Sequence, residues 1–479
     1  MKLTVIGGAG VRTVIFINGL LARYKKLKID KVVLYDINRE KLEIIGKLCR
    51  HVIRRGGEEL LLEIAHDPVE AITGADYIVT TLRVGGDHSR VVDEQIALEE
   101  GLIGQETTGA GGFSMAVRTI PVLLEYCEMI QKYSNNAWIF NFTNPSGLVT
   151  QALRNAGYDR VIGICDAPSS TKFRMARELG VKEQDLYVEF FGLNHLSWMQ
   201  SVKRMPKNLS SPDHAGCGDL TRDVRIHGEE ILSDLLQDDE FLKNVHEFSM
   251  FDPDLLRSIG YLPNEYLYYY YHREKALANI LKSGATRGKT IEEVNLQMMK
   301  ELDEMDIDAD PEAALQVFLY YMAVREGSYM SIETGGRAVE EINKGELEIP
   351  DGMGYAGVML DCIEGLQSEE GHYLVLSVEN NGCISGLEDG DIIEVTCKVS
   401  KDGIHPVPIG TIPEHCYLLI RLIKMYEKLT VKAIKERSAE IAVQALTLHP
   451  LINSYSLAKK LVEKYNVSYN TILGGSHAL

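Results

Sequence analysis

A thiol and an imidazole stand at the ends of two apolar runs near the middle of the chain. Val161–Ile164 leads into Cys165 and Asp166, and Val188–Leu193 leads into Asn194 and His195. Both runs read as strands. A thiolate and a neutral imidazole each offer a lone pair that suits a borderline divalent ion such as Mn, Fe, Co, Ni or Zn. The same pattern also fits a small buried cysteine and a hydrogen-bonded core histidine, so the elements around the pair must weigh between the two.

Those elements begin at the N-terminus. Leu3–Ile6 is a short apolar strand, Gly7, Gly8, Ala9 and Gly10 form a tight turn, and a helix is expected from Thr13 to Lys25. A second strand, Lys31–Tyr35, ends at Asp36, 26 residues after Gly10. A strand, glycine turn, helix and strand closed by an acid is the arrangement that binds a dinucleotide. The glycines let backbone approach the pyrophosphate, the helix N-terminus faces it, and the acid takes the ribose diol. Thr13 departs from the pattern, because a third glycine usually stands there for close helix packing. Asp36 favours NAD over NADP, since it would repel a 2′-phosphate.

The alternation continues. Helices are expected at Glu40–Arg54, at Ser114–Lys132 with a bend or break at Pro121, and at Gly147–Ala156. Strands are expected at Leu61–Ala65, Asp76–Thr81, Trp138–Phe142 and Val161–Ile164. Arg83, Asn144, Cys165/Asp166 and Asn194/His195 then follow four strands. In an open parallel sheet the C-terminal strand ends form the ligand crevice. Gly104–Gly112 reads as a glycine-rich loop.

The organisation changes after residue 198. A boundary is expected near Leu196–Lys203, followed by a loop over Lys207–Cys217. Beyond it, helices dominate around an antiparallel section at Tyr373–Glu379 and Ile392–Val399. A tyrosine-rich block, Gly260–His272, contains Tyr266. A phenol acts as a base only if a neighbouring cation lowers its ordinary pKa near 10. The long C-terminal helices are expected at Pro413–Leu429 and Val431–Thr447. The fold class is therefore α/β. Residues 1–198 form a Rossmann-type parallel-sheet domain, and residues 199–479 form a mostly helical α+β domain for substrate binding and assembly.

Composition sets the outer limits. A chain of 479 residues that is 45% apolar can bury one large core or two ordinary ones. A net charge of −19 argues against nucleic-acid partners, although a local arginine cluster can still receive a small anion. No apolar run is long enough to span a bilayer, and no signal peptide is evident. The eight cysteines show no regular spacing. That fits a reducing cytoplasm better than a disulfide framework.

Taken together and in order, these features resemble the NAD- and metal-dependent glycoside hydrolases of family 4. The resemblance rests on Val5-Ile6-Gly7-Gly8, Arg83-Val84-Gly85-Gly86, Asp93-Glu94, Gly104-Gln105-Glu106-Thr107, Thr143-Asn144-Pro145-Ser146, Cys165-Asp166, Gly192-Leu193-Asn194-His195, Leu262-Pro263 with Tyr266, Arg287, and His449-Pro450-Leu451. It covers nearly the whole chain. It implies a lactate/malate-dehydrogenase-like nucleotide domain and a homodimer or homotetramer. Cys165 and His195 would hold Mn²⁺ or a similar ion. Gly7, Gly8, Gly10 and Asp36 would hold NAD. The NAD would take a hydride from the sugar's C3, which acidifies the C2 proton. Tyr266 would remove that proton, kept ionised by the metal and Arg287, and Asp166 would assist the leaving group. Water addition and hydride return would complete a turnover.

The resemblance also implies a 6-phosphoglycoside substrate, with Arg83, Asn144, Asn194 and Arg287 binding it. Arg83 suits the phosphate, because a guanidinium fork matches that anion. GQETTGAGGFSMAVRTIP and GLNHLSW look like the 6-phospho-β-glucosidase branch, which is the favoured reading. Cys165-Asp166 looks like the 6-phospho-α-glucosidases, and Ala167-Pro168-Ser169-Ser170 departs from both. A metal-free 2-hydroxy-acid dehydrogenase is a further alternative.

Overall fold

The protein is described here from a computed structural model, which covers residues 1–205, 224–335, 347–350 and 355–469. Its main sheet starts from β1 (Lys2–Ile6), β2 (Lys31–Tyr35), β3 (Leu61–Ala65), β4 (Tyr77–Thr80), β5 (Trp138–Asn141) and β6 (Val161–Gly163). These six are parallel, in the order β3-β2-β1-β4-β5-β6. The helices α1 (Thr13–Leu21), α2 (Arg39–Arg55), α3 (Pro68–Ile72), α4 (Gly86–Glu99), α5 (Gly109–Tyr133) and α6 (Ser146–Asn155) intervene. Strands covered on both faces read as unbroken apolar runs, and Leu3, Val5, Ile6 and Ile78 are all buried. The strand order reverses between β1 and β4. That switch point opens a crevice at the strand ends, where ligands of such sheets bind.

Two helices differ from expectation. α5 begins inside the glycine-rich segment, at Gly109, and passes through Pro121 without interruption. The glycines serve close packing there. A Cβ on Gly111 would lie 2.2 Å from the Gln105 carbonyl, and one on Gly112 would lie 2.5 Å from that of Thr107. Near the C-terminus, the helix Glu414–Glu436 continues past Thr430 and stops at Arg437, which turns left-handed at φ 52°. Its buried positions, Ile423, Tyr426, Thr430 and Ala433, keep the helical period across the expected break.

The strand before His195 is not part of the parallel sheet. β7 (Leu186–Leu193) forms an antiparallel hairpin with β8 (Leu196–Arg204), and Asn194 and His195 are its tip. Residue 198 lies within β8. Gly192 has φ 140°, and a Cβ there would sit 2.3 Å from the Leu196 carbonyl, so the tight tip requires glycine. With β9 (Glu229–Glu230) and β10 (Leu262–Pro263) the hairpin makes a separate antiparallel sheet.

The antiparallel section of the second half extends the first sheet. β11 (His372–Glu379) meets β6 through Ser377 and Gly163, and β12 (Ile392–Ser400) and β13 (Gly403–Pro406) follow outward. The nine-stranded sheet thus draws on both halves of the chain. β12 also seats the hairpin: Thr396 Oγ1 accepts from Phe190 N at 3.0 Å and donates to the Val188 carbonyl at 3.2 Å. The Lys207–Cys217 loop lies outside the described residues. Among those described, every cysteine is free, and no helix is long and apolar enough to cross a membrane.

Candidate active site

The glycine turn follows β1 as expected. Gly7 has φ 94°, and a Cβ on it would meet the Thr81 backbone at 2.7 Å. A Cβ on Gly8 would meet Leu34 at 2.9 Å, and one on Gly10 would meet the Gly7 carbonyl at 3.1 Å. Asp36 braces the turn: Oδ2 accepts from Ala9 N at 3.1 Å and Oδ1 from Asn38 N at 2.9 Å. Each carboxylate oxygen keeps a second lone pair, the equipment a ribose diol needs. Thr13 is buried at the start of α1, so its side chain fits where a third glycine is usual. This backbone cradle, closed to any Cβ and ended by an acid, fits NAD.

Cys165 and His195 converge from the two sheets. Sγ lies 3.5 Å from Nε2. Two such atoms on one tetrahedral ion, at ordinary metal–sulfur and metal–nitrogen distances, are about 3.6 Å apart. The Thr107 hydroxyl lies 2.9 Å from both Gln105 Oε1 and His195 Nδ1. With its proton on Gln105 it accepts from Nδ1–H, the tautomer a metal at Nε2 requires, and Nε2 faces Cys165. Burial pushes the imidazole down to about 3, against the attraction of Glu106. Burial also pushes the Cys165 thiol well up, aided by the charges of Glu394 and Asp166. A neutral imidazole beside a thiol with Glu394 and Asp166 nearby is a donor set suited to a cation. No group of three or more His, Cys, Asp or Glu residues forms a fuller cage among the described residues. An ion held by this pair alone would keep positions open for further oxygens, as catalytic sites require.

Tyr266 joins this pair. Its ring stacks on His195, with centroids 3.6 Å apart and planes 3° apart. Burial pushes its phenol up, and so does the neighbouring Cys165. Arg287 does not act on Tyr266 directly. It lies over the ring of Tyr329, 5.1 Å from the centroid, and bonds Ser328 Oγ at 3.1 Å. Tyr329 carries the connection: its hydroxyl donates to Glu265 Oε1 at 3.1 Å and is also hydrogen-bonded to Tyr266.

The expected substrate-binding residues divide. Arg83 follows β4 and bonds Glu106, with Asp87 3.5 Å from its Nε. Glu106 also takes Arg90 Nη1 at 3.2 Å. Burial opposes the charge on Glu106, but Arg83 and Arg90 outweigh it and hold the carboxyl well below its usual range. Asn144 precedes a cis peptide to Pro145, which lines a cavity of about 30 Å³ with Asn194 and His195. The Asn194 side chain is committed within the protein: Nδ2 donates to Glu394 Oε2 at 2.9 Å, and Oδ1 accepts from Gly147 N at 3.4 Å. Its local role is to fix the hairpin tip. Asp166 Oδ2 accepts from Arg12 Nη1 at 2.8 Å.

Several residues of the site escaped the sequence reading. Thr107 lay within a recognised motif but had no assigned part. Glu394 holds the tip residue Asn194 and, through Ser197 Oγ at 3.0 Å, the start of β8. A lone acid in the apolar strand IIEVTCKVS was its signal. Arg325 is partly buried and feels the charges of Arg12 and Arg83; burial followed by the charge of Arg12 pushes its guanidinium down to about 10. Its Nε has no hydrogen-bond partner among the described residues.

Comparison with known proteins agrees with this geometry. The profile of the family 4 glycosyl hydrolases matches residues 2–181, and that of the family 4 glycosyl hydrolase C-terminal domain matches residues 190–452. A 6-phospho-β-glucosidase of Thermotoga maritima is 30% identical over 466 residues, covering 97% of both chains. The Thermotoga maritima 6-phospho-β-glucosidase structure with manganese, NAD⁺ and glucose-6-phosphate superposes with a TM-score of 0.78, at 29% identity and 98% coverage of each chain. A 6-phospho-α-glucosidase from gut microorganisms, solved with NAD and glucose-6-phosphate, gives 0.74 at 27% identity, again over 98% of each. With a dinucleotide turn, a Cys–His pair and a stacked tyrosine in one crevice, the chain belongs to family 4 of the glycoside hydrolases and is an NAD- and divalent-metal-dependent enzyme.

Proposed function

We propose that the chain hydrolyses 6-phospho-β-glucosides. The observation that carries the reading is the stack of Tyr266 on His195, with Cys165 3.5 Å from the same imidazole. It gathers two metal ligands and a phenol around one point. Sγ of Cys165 and Nε2 of His195 would hold a divalent ion, which would supply positive charge favouring the thiolate and the ionised phenol. NAD held at Gly7, Gly8, Gly10 and Asp36 supplies a reversible hydride acceptor, so turnover leaves no net NADH.

The chain's own groups do the rest. Tyr266 Oη takes the C2 proton, and Thr107 keeps His195 in the tautomer that faces the thiol. Asp166 would donate a proton to the leaving-group oxygen. Asn144 and Arg287 complete the sugar pocket, Arg287 by backing Tyr329. Residues 1–198 contribute the dinucleotide turn and Cys165, and residues 199–479 contribute Tyr266 and Arg287.

The phosphate reading is supported by Arg325, which feels the charges of Arg12 and Arg83 against those of Glu326 and Asp87; an anion there would add to the acids that offset this positive charge. The unpartnered Arg325 Nε adds a buried donor that needs an acceptor. The β preference is supported by the GLNHLSW hairpin tip and the segment that runs into α5. One observation favours the 6-phospho-α-glucoside reading: Asp166 directly follows Cys165. Assembly as a homodimer or homotetramer is supported by Leu418, Leu422 and Met425, exposed along one face of a C-terminal helix. Free cysteines, nearly all buried, agree with a reducing cytoplasm.

The test is a matched panel of α- and β-linked aryl 6-phosphoglucosides and their unphosphorylated counterparts, run with NAD⁺ and Mn²⁺ under reducing conditions. Hydrolysis of the β-linked phosphorylated member without NADH accumulation is expected. Faster cleavage of the α-linked member would move the assignment to the second reading, and preference for unphosphorylated sugars would remove the phosphate reading.

A further inference from the structure

Arg12 lies on the nucleotide turn, two residues after Gly10 and directly before α1. Its guanidinium reaches away from that turn. Nη1 donates to Asp166 Oδ2 at 2.8 Å, and Nη2 lies 3.5 Å from Glu326 Oε1. Asp166 is bonded through the backbone to Cys165, and Glu326 belongs to the helix Pro311–Gly327 of the second half. One side chain therefore joins three parts: the dinucleotide cradle, the loop carrying the sulfur ligand, and a helix of the second half. Asp166 and Arg12 are each about one-third exposed, at 31% and 33%, so the pair is bent by solvent but not lost to it.

We propose that the Arg12–Asp166 ion pair couples occupancy of the dinucleotide turn to occupancy of the Cys165–His195 metal site, which makes Arg12 a positioning residue for the sulfur ligand. The proposal rests on the metal reading of Cys165 and His195. A dinucleotide that fixes the turn also fixes Arg12, and through Asp166 it narrows the positions of Sγ. The ion then meets a ligand already placed. Linkage makes the effect reciprocal: whatever factor NAD⁺ gives to metal affinity, the metal gives to NAD⁺ affinity. A partly exposed ion pair supports about a two- to fivefold factor.

The experiment titrates Mn²⁺, following the free ion by electron paramagnetic resonance, with and without saturating NAD⁺. Native protein, Arg12→Met, Arg12→Lys, Asp166→Asn and the Met/Asn double variant are compared. NAD⁺ should tighten Mn²⁺ binding about two- to fivefold in the native protein. The ratio should fall to about one in Arg12→Met and in Asp166→Asn, with no further change in the double variant. Arg12→Lys should restore part of it, which general damage to the fold would not allow. A native ratio of one, or a full ratio in either single variant, overturns the coupling. Cys165→Ser separates the two failures. If it binds Mn²⁺ as tightly as the native protein, the metal reading falls and the coupling falls with it. If it loses Mn²⁺ while Arg12→Met keeps the ratio, the coupling alone is refuted.

Discussion

Replacing Thr107 by valine should weaken metal binding about 30-fold while leaving the fold in place. Valine matches threonine in shape and removes the one oxygen that His195 Nδ1 faces at 2.9 Å. Metal at Nε2 holds the proton on Nδ1, and without Thr107 Oγ1 that buried N–H has no acceptor, a cost of about 2 kcal/mol that the metal-free imidazole can avoid by moving its proton. That corresponds to roughly a 30-fold change, within the usual range for losing the partner of a metal-bound histidine. The loop itself survives. Gln105 Oε1 keeps Thr107 N at 2.6 Å, Thr108 N at 2.8 Å and Thr108 Oγ1 at 2.9 Å. Isothermal titration with Mn²⁺ measures the loss, and thermal melting of the metal-free protein checks the fold. Thr107→Ser retains the hydroxyl and should bind nearly as the native protein does. A Thr107→Val protein that melts normally and binds Mn²⁺ within twofold of native would refute the tautomer argument.

Cys165→Ser should nearly abolish Mn²⁺ binding and turnover, since a hydroxyl is a far poorer soft ligand; dialysis and metal analysis measure it. Tyr266→Phe should suppress exchange of the substrate's C2 proton with deuterated solvent, read by NMR, and exchange at the native rate would assign the base elsewhere. Asp166→Asn should slow substrates with poor leaving groups more than activated aryl ones, a split visible in kcat across an aglycone series, and an equal loss throughout would leave Asp166 without an acid role. Burial pushes Glu394 up to about 7, with Asn194 and Ser197 opposing, so the folded chain holds a proton that the unfolded chain releases nearer 4.5. Its stabilising contribution is complete below pH 4.5 and is lost as pH rises through 7. His195 and His449, both pushed down to about 3 by burial, act in the opposite sense below 6.5 and add nothing above it. Glu265, pushed up to about 8 by burial and then by Glu247, adds to the same loss. Metal-free protein should therefore lose stability to urea between pH 6.5 and 8, and Glu394→Gln should remove only part of that slope.

What the sequence made legible follows from range. β1, β2 and β4 announce themselves because strands buried on both faces must be apolar throughout, and Gly7, Gly8 and Asp36 because a turn closed to any Cβ admits few residues. The hairpin was harder. The run up to Leu193 is visible as a strand, but its partner LSWMQSVKR mixes polar and apolar residues, because part of it faces solvent. Periodicity therefore cannot distinguish a parallel strand end from a hairpin tip, although both present His195 at a chain reversal. Arg12, Thr107 and Glu394 were hidden for a different reason. Each acts on a residue far along the chain, as Glu394 does on Asn194, 200 positions away. Such pairings are set by packing, and no local pattern encodes them.

The position of the two proposed ligands, Cys165 and His195, accounts for that hidden support. Cys165 follows a strand of the large sheet, and His195 tips a hairpin of the other, so no shared hydrogen-bond ladder fixes their separation. A gap of 3.5 Å across two independent sheets drifts with any sliding between them. Glu394 counters that drift because it stands on β12, which belongs to the sheet of Cys165, and bonds Asn194 and Ser197, on either side of His195. Thr396, two residues on and on the same face of the strand, adds two main-chain bonds to β7. Were the clamp absent, an incoming ion would have to pull the sheets into register at the expense of its own affinity. With it, the separation exists beforehand, and the ion's remaining positions stay free for the substrate.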